Sequence, residues 1–208
     1  MPYSHEEHVT YTNKEYRDYS YYQSLFNILK NKNIQSYIDI GANVGEVCNI
    51  YFDTLPTLKK AYLFEVEVSA FNFLNNNIKY PEKVQSYNLA IYYGSDPPKL
   101  FKNFNTGGGV VATAINNNQF TEFDTIKNYS TLEQLNLPLV DLIKMDIEGG
   151  EYDIIKYSKF LHSVKYLEIE FHYDNLNIEE YIANSFPNHN IILAEDIKGR
   201  FLFESKYL

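Results

Sequence analysis

Apolar residues recur along the chain in two alternating patterns, one typical of amphipathic helices and the other of buried strands. Over residues 19–32 the apolar side chains are spaced at i, i+3, i+4 and i+7, which predicts a single apolar helical face. The next segment, 36–40, is short, largely apolar and ended by Gly41, as expected of a buried strand. The same criteria predict helices from about 45, from about 69, over 149–161 and from 177, and strands at 61–66, 84–91, 140–147, 164–171, 190–193 and 201–203.

Strands that alternate with helices indicate an α/β protein with a mainly parallel sheet and helices on both faces. The two strands at 190–193 and 201–203 are predicted to form a C-terminal hairpin. Residues 1–18 are polar and are predicted to form a loose extension before a single domain over 19–208. Within it, 92–135 departs from the alternation because it is rich in proline, glycine and asparagine runs, and we predict a hairpin-like insertion there.

Charge and composition narrow the possible partners. The 208 residues carry 18 Lys+Arg against 27 Asp+Glu, so the net charge is −9. A surface of this sign repels a phosphate backbone, which disfavours non-specific nucleic-acid binding and leaves a local basic groove as the alternative. The single cysteine, Cys48, excludes an intrachain disulfide and fits a reducing compartment. Because no apolar stretch is long enough to span a membrane and residues 1–8 have no leader pattern, we predict a cytoplasmic protein.

The turn after the first predicted strand carries an acidic residue and glycines at alternate positions, as Asp39-x-Gly41-x-Asn43-x-Gly45. Glycine permits a sharp turn in which a ligand can contact the backbone, and free N–H groups at the start of the next helix favour an anionic group. A dinucleotide fingerprint would need glycine at positions 43 and 46, where this chain has Asn43 and Glu46. The pattern therefore favours S-adenosylmethionine (SAM) over NAD, with Asp39 near the cationic end of SAM.

Residues on the next two strands complete the predicted cofactor site. Glu65 lies 24 residues after Gly41, close to the interval expected for an acidic residue that binds both ribose hydroxyls. A solvated carboxylate at a strand end is the alternative. Leu89 and Ala90 end the third predicted strand, where we expect them to flank the adenine. The predicted cofactor-binding residues are Asp39, Gly41, Ala42, Asn43, Gly45, Glu65, Val66, Leu89, Ala90 and Asp146.

A second acidic group consists of Asp146, Glu148 and Glu151. It lies where the predicted strand 140–147 ends and the following helix begins. If the extended backbone continues, Asp146 and Glu148 point the same way, because side chains alternate with a period of two. In a simpler interpretation, Glu148 and Glu151 only stabilise the helix N-terminus, by about 0.3–1 kcal/mol each. Lys144, inside the strand, is expected to pair with a carboxylate of the next strand, Glu168 or Glu170, since buried charges need partners.

Several segments together resemble the FkbM-type methyltransferases. They are Tyr37-Ile-Asp39-Ile-Gly41-Ala-Asn43-Val-Gly45, Ile143-Lys144-Met-Asp146-Ile-Glu148-Gly149-Gly-Glu151, Phe64-Glu65-Val66, 131–135 and 167–172. The resemblance covers residues 36–173 and implies the Rossmann-like class I methyltransferase fold, with a mainly parallel seven-stranded sheet, helices on both faces and a C-terminal antiparallel hairpin. It also implies SAM as the cofactor and O-methylation of a small-molecule or sugar hydroxyl.

Methyl transfer to a hydroxyl requires an aligned acceptor and a group that removes its proton. Asp146 is the first candidate for that base, and Glu148 or His172 is expected to orient the acceptor or share the role. A divalent metal on Asp146, Glu148 and Glu170 would suit hard carboxylate ligands, but it is not part of the predicted site.

Two other functions remain as alternatives: a catalytically silent module that binds a partner through the same fold, and an RNA-modifying methyltransferase, which the net charge disfavours. The run Gly107-Gly108-Gly109 lacks the residues of a phosphate-binding loop and is predicted to form a lid over the acceptor.

Overall fold

The structure, a computed structural model, describes residues 20–103, 109–112, 120–172, 178–195 and 199–208. For 102–103, 109–112, 120–125 and 178–179 only the backbone is described. The predictions made for residues 1–18, for Gly107-Gly108 and for the helix start at Asn177 lie outside the described residues.

The described strands occur in chain order from β1 to β12. They are β1 (Ser36–Ile40), β2 (Lys60–Glu65), β3 (Val84–Asn88), β4 (Ala90–Ile91), β5 (Lys99–Asn103), β6 (Gly109–Ala112), β7 (Phe120–Thr125), β8 (Tyr129–Ser130), β9 (Leu142–Met145), β10 (Tyr166–Glu170), β11 (His189–Glu195) and β12 (Arg200–Ser205). Seven of them form the main sheet in the order β11-β12-β10-β9-β1-β2-β3. Its pairs are parallel except those of β12, which runs antiparallel to both β10 and β11. The predicted fold, including the C-terminal hairpin, is confirmed.

Helices cover both faces of this sheet. They are α1 (Ser20–Leu29), α2 (Glu46–Thr54), α3 (Val68–Asn77), α4 (Glu151–Tyr157), α5 (Lys159–His162) and α6 (Ile178–Ser185), with a 3-10 turn at Pro81–Lys83. Side chains of α1, α2 and α3, such as Leu25 and Tyr51, pack with Tyr37 and Leu63 of the sheet. On the other face, α4, α5 and α6 pack against alternate strand residues such as Ile38. Each such fully buried aliphatic or aromatic side chain contributes about 1.5–3 kcal/mol.

Two predicted elements are interrupted in the structure. The strand expected at 84–91 ends at Asn88, whose side-chain amide donates hydrogen bonds to the carbonyls of Glu65 and Val66. The chain then leaves the main sheet, and β4 pairs with β8 instead. The helix expected over 149–161 breaks at Ser158, whose extended backbone caps α5 while its hydroxyl accepts from the Leu161 N–H. In both cases a polar side chain replaces regular backbone pairing.

The segment 92–135 contains more sheet than the hairpin expected from the sequence. Strands β6, β5 and β7 form a separate antiparallel sheet with β5 in the centre. Leu100 of β5 is buried with Ala90 and Ile126, and Val66 packs against them. The additional sheet is therefore attached close to the ends of β2 and β4.

None of the helices in the described ranges is long and apolar enough to cross a membrane.

Candidate active site

The turn after β1 is built from residues that adopt left-handed backbone conformations. Gly41, Asn43 and Gly45 have φ values of 89°, 48° and 79°, and the first and last of these are costly for a residue with a side chain. A Cβ atom on Gly41 would lie 1.9 Å from the carbonyl oxygen of Asp146, and one on Gly45 would lie 2.8 Å from Ile78 Cδ1. Gly41 is therefore required for close packing against the Asp146 backbone, whereas Gly45 is favoured by its left-handed backbone, because the Ile78 side chain can move. Residues 41–45 are called the glycine turn below.

Glu65, at the end of β2, closes over this turn. It is 8% exposed, and its carboxylate accepts hydrogen bonds from the N–H groups of Asn43 (2.8 Å) and Glu67 (2.7 Å). Burial raises the pKa of the Glu65 carboxyl to about 7, although the two N–H groups lower it. The alternative of a solvated strand-end carboxylate is wrong, because Glu65 is buried and holds the turn in place.

The other residues predicted to bind the cofactor surround the same edge of the sheet. Ala42 is buried, and its N–H donates to the carbonyl of Phe64 (3.0 Å). Leu89 donates its N–H to the carbonyl of Glu65 (3.2 Å), while Ala90 and Val66 pack together. The structure thus brings these residues to the carboxyl ends of β1, β2 and β3, where open α/β sheets bind ligands. Their contact with a cofactor stays a prediction.

Asp39 has a different environment from the others. It is fully buried, and its Oδ1 lies 3.3 Å from Lys144 Nζ on the adjacent strand. Lys144 also lies 3.6 Å from Asp146 Oδ2, so its ion pairs differ from the expected ones with Glu168 or Glu170. Burial lowers the pKa of Lys144, but the surrounding carboxylates more than offset this and raise it overall. Asp39 is therefore paired inside the protein, and its proposed contact with the cationic end of SAM stays a prediction.

The predicted catalytic residues converge on one imidazole nitrogen. His172 Nε2 lies 3.8 Å from Asp146 Oδ1, 3.7 Å from Glu148 Oε2 and 3.7 Å from Glu170 Oε1. These four residues are called the histidine cluster below. The backbone does not stay extended past β9 as the period-two argument assumed, because Glu148 has a φ of 59°. The carboxylates meet because the turn folds back toward the end of β10.

Glu151 and Arg200 are not part of this cluster but form hydrogen bonds with its members. Glu151 is fully buried, and its Oε1 lies 2.8 Å from His172 Nδ1 and accepts from the Gly149 N–H. The Arg200 Nε–H donates to Glu170 Oε2 at 2.7 Å. From the sequence, Glu151 belongs to the second acidic group, with helix stabilisation as the simpler interpretation, but its contact with His172 was not predicted and Arg200 was not identified. The segment Glu148-Gly149-Gly150-Glu151 was the available signal for Glu151, whereas β12 gave none for Arg200.

The electrostatics of the cluster follow from this crowding. Burial lowers the pKa of His172, but the hydrogen bond that His172 donates to Glu151 and the nearby carboxylates raise it to about 9 overall. Burial raises the pKa of Glu148 to about 7, while His172 lowers it. Burial and Asp146 raise the pKa of Glu170 against the opposing effect of Arg200. At neutral pH His172 is therefore a cation among carboxylates, and Glu148 titrates close to that pH.

A small pocket opens beside the cluster between β9, β10 and α1. It is lined by Asp146 and Glu170 of the cluster, by Lys144 and Arg200, and by Tyr22 of α1. The Arg200 guanidinium lies 5.0 Å from the Tyr22 ring centroid, an arrangement that favours a cation over an aromatic face. Helix α1 therefore forms one wall of the site.

The strand order, the antiparallel β12, the glycine turn and the acidic end of β2 define a Rossmann-like methyltransferase fold. The chain belongs to the FkbM methyltransferase domain family, whose model matches residues 39–195. This confirms the resemblance found in the sequence. No curated protein matches the chain.

Solved structures share this fold at low sequence identity. The methyltransferase FkbM from Methylobacillus flagellatus KT has a TM-score of 0.51 at 14% identity over 83% of this chain, which spans only 44% of that protein. The putative methyltransferase YhhF from Escherichia coli has a TM-score of 0.52 at 10% identity, covering 89% of this chain and 85% of its own. A putative RNA methyltransferase, PH1948 from Pyrococcus horikoshii, has a TM-score of 0.51 at 11% identity, covering 88% and 81%. At these identities the likeness shows the fold alone.

Proposed function

We propose that the protein transfers a methyl group from SAM to a hydroxyl group of a small molecule or sugar. The observation that supports this most directly is the contact between the glycine turn and the histidine cluster. Gly41 lies so close to the Asp146 backbone that no side chain would fit between them. A carboxylate that can accept a proton therefore lies next to the turn predicted to hold the cofactor.

The residues of the glycine turn and of β2 fit SAM chemically. Gly41 and Gly45 give the turn its left-handed backbone, and because they lack a Cβ atom the turn packs directly against Asp146 and Ile78. The Glu65 carboxylate uses two acceptor positions for backbone N–H groups, and a carboxylate offers about four. The remaining positions suit the two ribose hydroxyls. When bound, SAM supplies a methyl group that its sulfonium already activates, so the protein has to align the acceptor and remove its proton.

Asp146 is the proposed base. Its side chain is 32% exposed, so an acceptor hydroxyl can reach it, whereas Asp39 and Glu151 are fully buried. His172 carries a proton at neutral pH, because its pKa is raised to about 9 by Glu151 and the cluster carboxylates against the effect of burial. It therefore acts as a hydrogen-bond donor that orients the acceptor oxygen. Glu148 is half exposed and shares this orienting role.

The class of acceptor is proposed from the charge of the protein. A net charge of −9 opposes a polyanionic acceptor. Since PH1948, a protein of the same fold, is described as a putative RNA methyltransferase, the fold does not distinguish these acceptors. RNA is therefore included in the test.

The test is a methyl-transfer screen with labelled SAM over sugars, glycolipids, peptides and short RNAs. Asp146→Asn should lower kcat by about 10²–10⁴-fold without abolishing the binding of S-adenosylhomocysteine (SAH). The matched control is Asp153→Asn, an exposed carboxylate on α4, which should leave kcat unchanged. Each acceptor that reacts is compared with its deoxy analogue, which should not react.

Three results would contradict the proposal. Failure of SAM and SAH to bind at high micromolar concentration would remove the cofactor. Cofactor binding without any transfer, in the wild type and in the variants alike, would favour the silent binding module. Transfer restricted to RNA, with an affinity that falls steeply with salt, would identify a nucleic-acid acceptor.

A further inference from the structure

We propose that the histidine cluster binds one divalent transition-metal ion through Asp146, Glu148 and His172. This inference deepens the proposed function and rests on it for its catalytic meaning. One potential ligand atom from each of these three residues lies within 4.8 Å of the other two. The three come from the turn after β9 and from the end of β10, so the fold and not one flexible loop brings them together.

The distances around His172 Nε2 fit an ion better than direct hydrogen bonds. The three carboxylate oxygens that surround this nitrogen lie at 3.7–3.8 Å, which is too long for a hydrogen bond. Two ligand atoms that share a metal at about 2.1 Å are separated by roughly 3–4.2 Å, depending on the angle at the metal. The distances from Nε2 to the Asp146 and Glu148 oxygens fall in that range, and the set as a whole, within 4.8 Å, needs only a small contraction around a common centre.

A second observation comes from the far side of the imidazole. Glu151 is fully buried and is directed at the cluster, with its Oε1 2.8 Å from His172 Nδ1. Its other oxygen, Oε2, has no hydrogen-bond partner among the described residues. A buried carboxylate that accepts from Nδ1–H keeps that nitrogen protonated, so that an ion binding at Nε2 would displace only the Nε2 proton; carboxylate–histidine pairs of this kind are common at metal-bound histidines. Arg200 fixes the orientation of the Glu170 carboxylate by donating a hydrogen bond to its Oε2.

The ligand types indicate which metals to expect. One imidazole nitrogen and two carboxylates suit Mn²⁺, Fe²⁺, Co²⁺ or Zn²⁺ better than the all-oxygen preference of Ca²⁺ or Mg²⁺. Such an ion next to Asp146 would favour the ionised form of an acceptor hydroxyl. The Asp146 and Glu148 carboxylates balance the two charges of the ion, and Glu170, which is paired with Arg200, lies close enough to hold a water ligand.

The test uses Mn²⁺ as the probe on the full chain after chelator treatment. Calorimetry and the loss of the free-Mn²⁺ resonance should show one site per chain. Glu148→Gln, at a half-exposed position that should tolerate the change, is expected to weaken Mn²⁺ binding at least tenfold. His172→Gln should weaken it similarly and should remove the nitrogen coupling from pulsed spectra of the bound ion. Glu151→Gln, as a positioning residue, should weaken binding about 10–100-fold and should keep that nitrogen coupling.

The matched controls are Asp153→Asn and His162→Gln, which lie outside the cluster at exposed positions and should bind Mn²⁺ like the wild type. No saturable binding up to millimolar Mn²⁺, or binding equally strong in Glu148→Gln and His172→Gln, would overturn the inference. SAH binding is measured in parallel on the same samples. SAH binding without Mn²⁺ binding refutes only the metal site, whereas Mn²⁺ binding without SAH binding refutes the proposed function.

Discussion

Glu65 provides a pH-dependent test of the cofactor site. Burial raises the pKa of its carboxyl to about 7, although the N–H groups of Glu67 and Asn43 lower it. Only the ionised carboxylate can accept from both ribose hydroxyls, so cofactor binding competes with the proton. About one tenth of the molecules are ionised at this position at pH 6, against about nine tenths at pH 8. Because the apparent Kd scales inversely with the binding-competent fraction, SAH should bind roughly tenfold more weakly at pH 6.

The assay is calorimetric titration of SAH at several pH values between 6 and 8. Glu65→Gln should bind SAH more weakly at pH 8 and should lose the pH dependence. The control Glu82→Gln, at an exposed carboxylate of the 3-10 turn, should keep the wild-type affinity for SAH and its pH dependence. The series is repeated with 5′-methylthioadenosine, which keeps the ribose but lacks the ionisable amino-acid group of SAH. A wild-type Kd that is constant over this range, or the same slope in Glu65→Gln, would refute the reasoning.

Two further predictions concern stability. Gly41→Ala places a Cβ 1.9 Å from the Asp146 oxygen at a φ of +89°, and it should lower the free energy of unfolding in urea by more than about 3 kcal/mol. The control Gly150→Ala, at a φ of −88°, should change this free energy by less than about 1 kcal/mol. Equal effects of the two substitutions would contradict the packing argument. Burial raises the pKa of Glu168 from 4.5 to about 7, against the effects of Lys144 and of the hydrogen bond from Tyr51. The folded protein thus holds a proton there that the unfolded chain releases, and the free energy of unfolding should fall as pH rises through this window, by up to roughly 3 kcal/mol for this group. Glu168→Gln should show a smaller fall between pH 5 and 7.5, and equal falls in both proteins would count against this account.

The periodicity of apolar residues was sufficient to predict the main sheet and its helices. Strand β1 and helix α2 lie where the pattern placed them, because Tyr37 and Ile38 face opposite cores and the glycine turn separates the two elements. The pattern could not predict the break at Ser158, since its cause is a hydroxyl that caps α5 and donates to a distant carboxylate, Glu133. Such long-range polar contacts leave no period in the sequence.

The candidate site was predictable to the extent that its residues lie at strand ends. The spacing of Gly41 and Glu65 placed them together because parallel strands end at the same edge. The partner of Lys144 was missed because the register that sets Asp39 beside it is a property of the assembled sheet. The contact of Glu151 with His172 was missed for a related reason, since it joins the start of α4 to the end of β10.

Strand β12 lies between β10 and β11 although it follows both of them in the chain. Antiparallel partners therefore hold β12 on both edges, and its first residue, Arg200, is placed opposite Glu170 at the end of β10. Glu170 gains its guanidinium partner only when this later strand inserts into the sheet. The electrostatic balance of the histidine cluster thus depends on the strand of the main sheet that comes last in the chain.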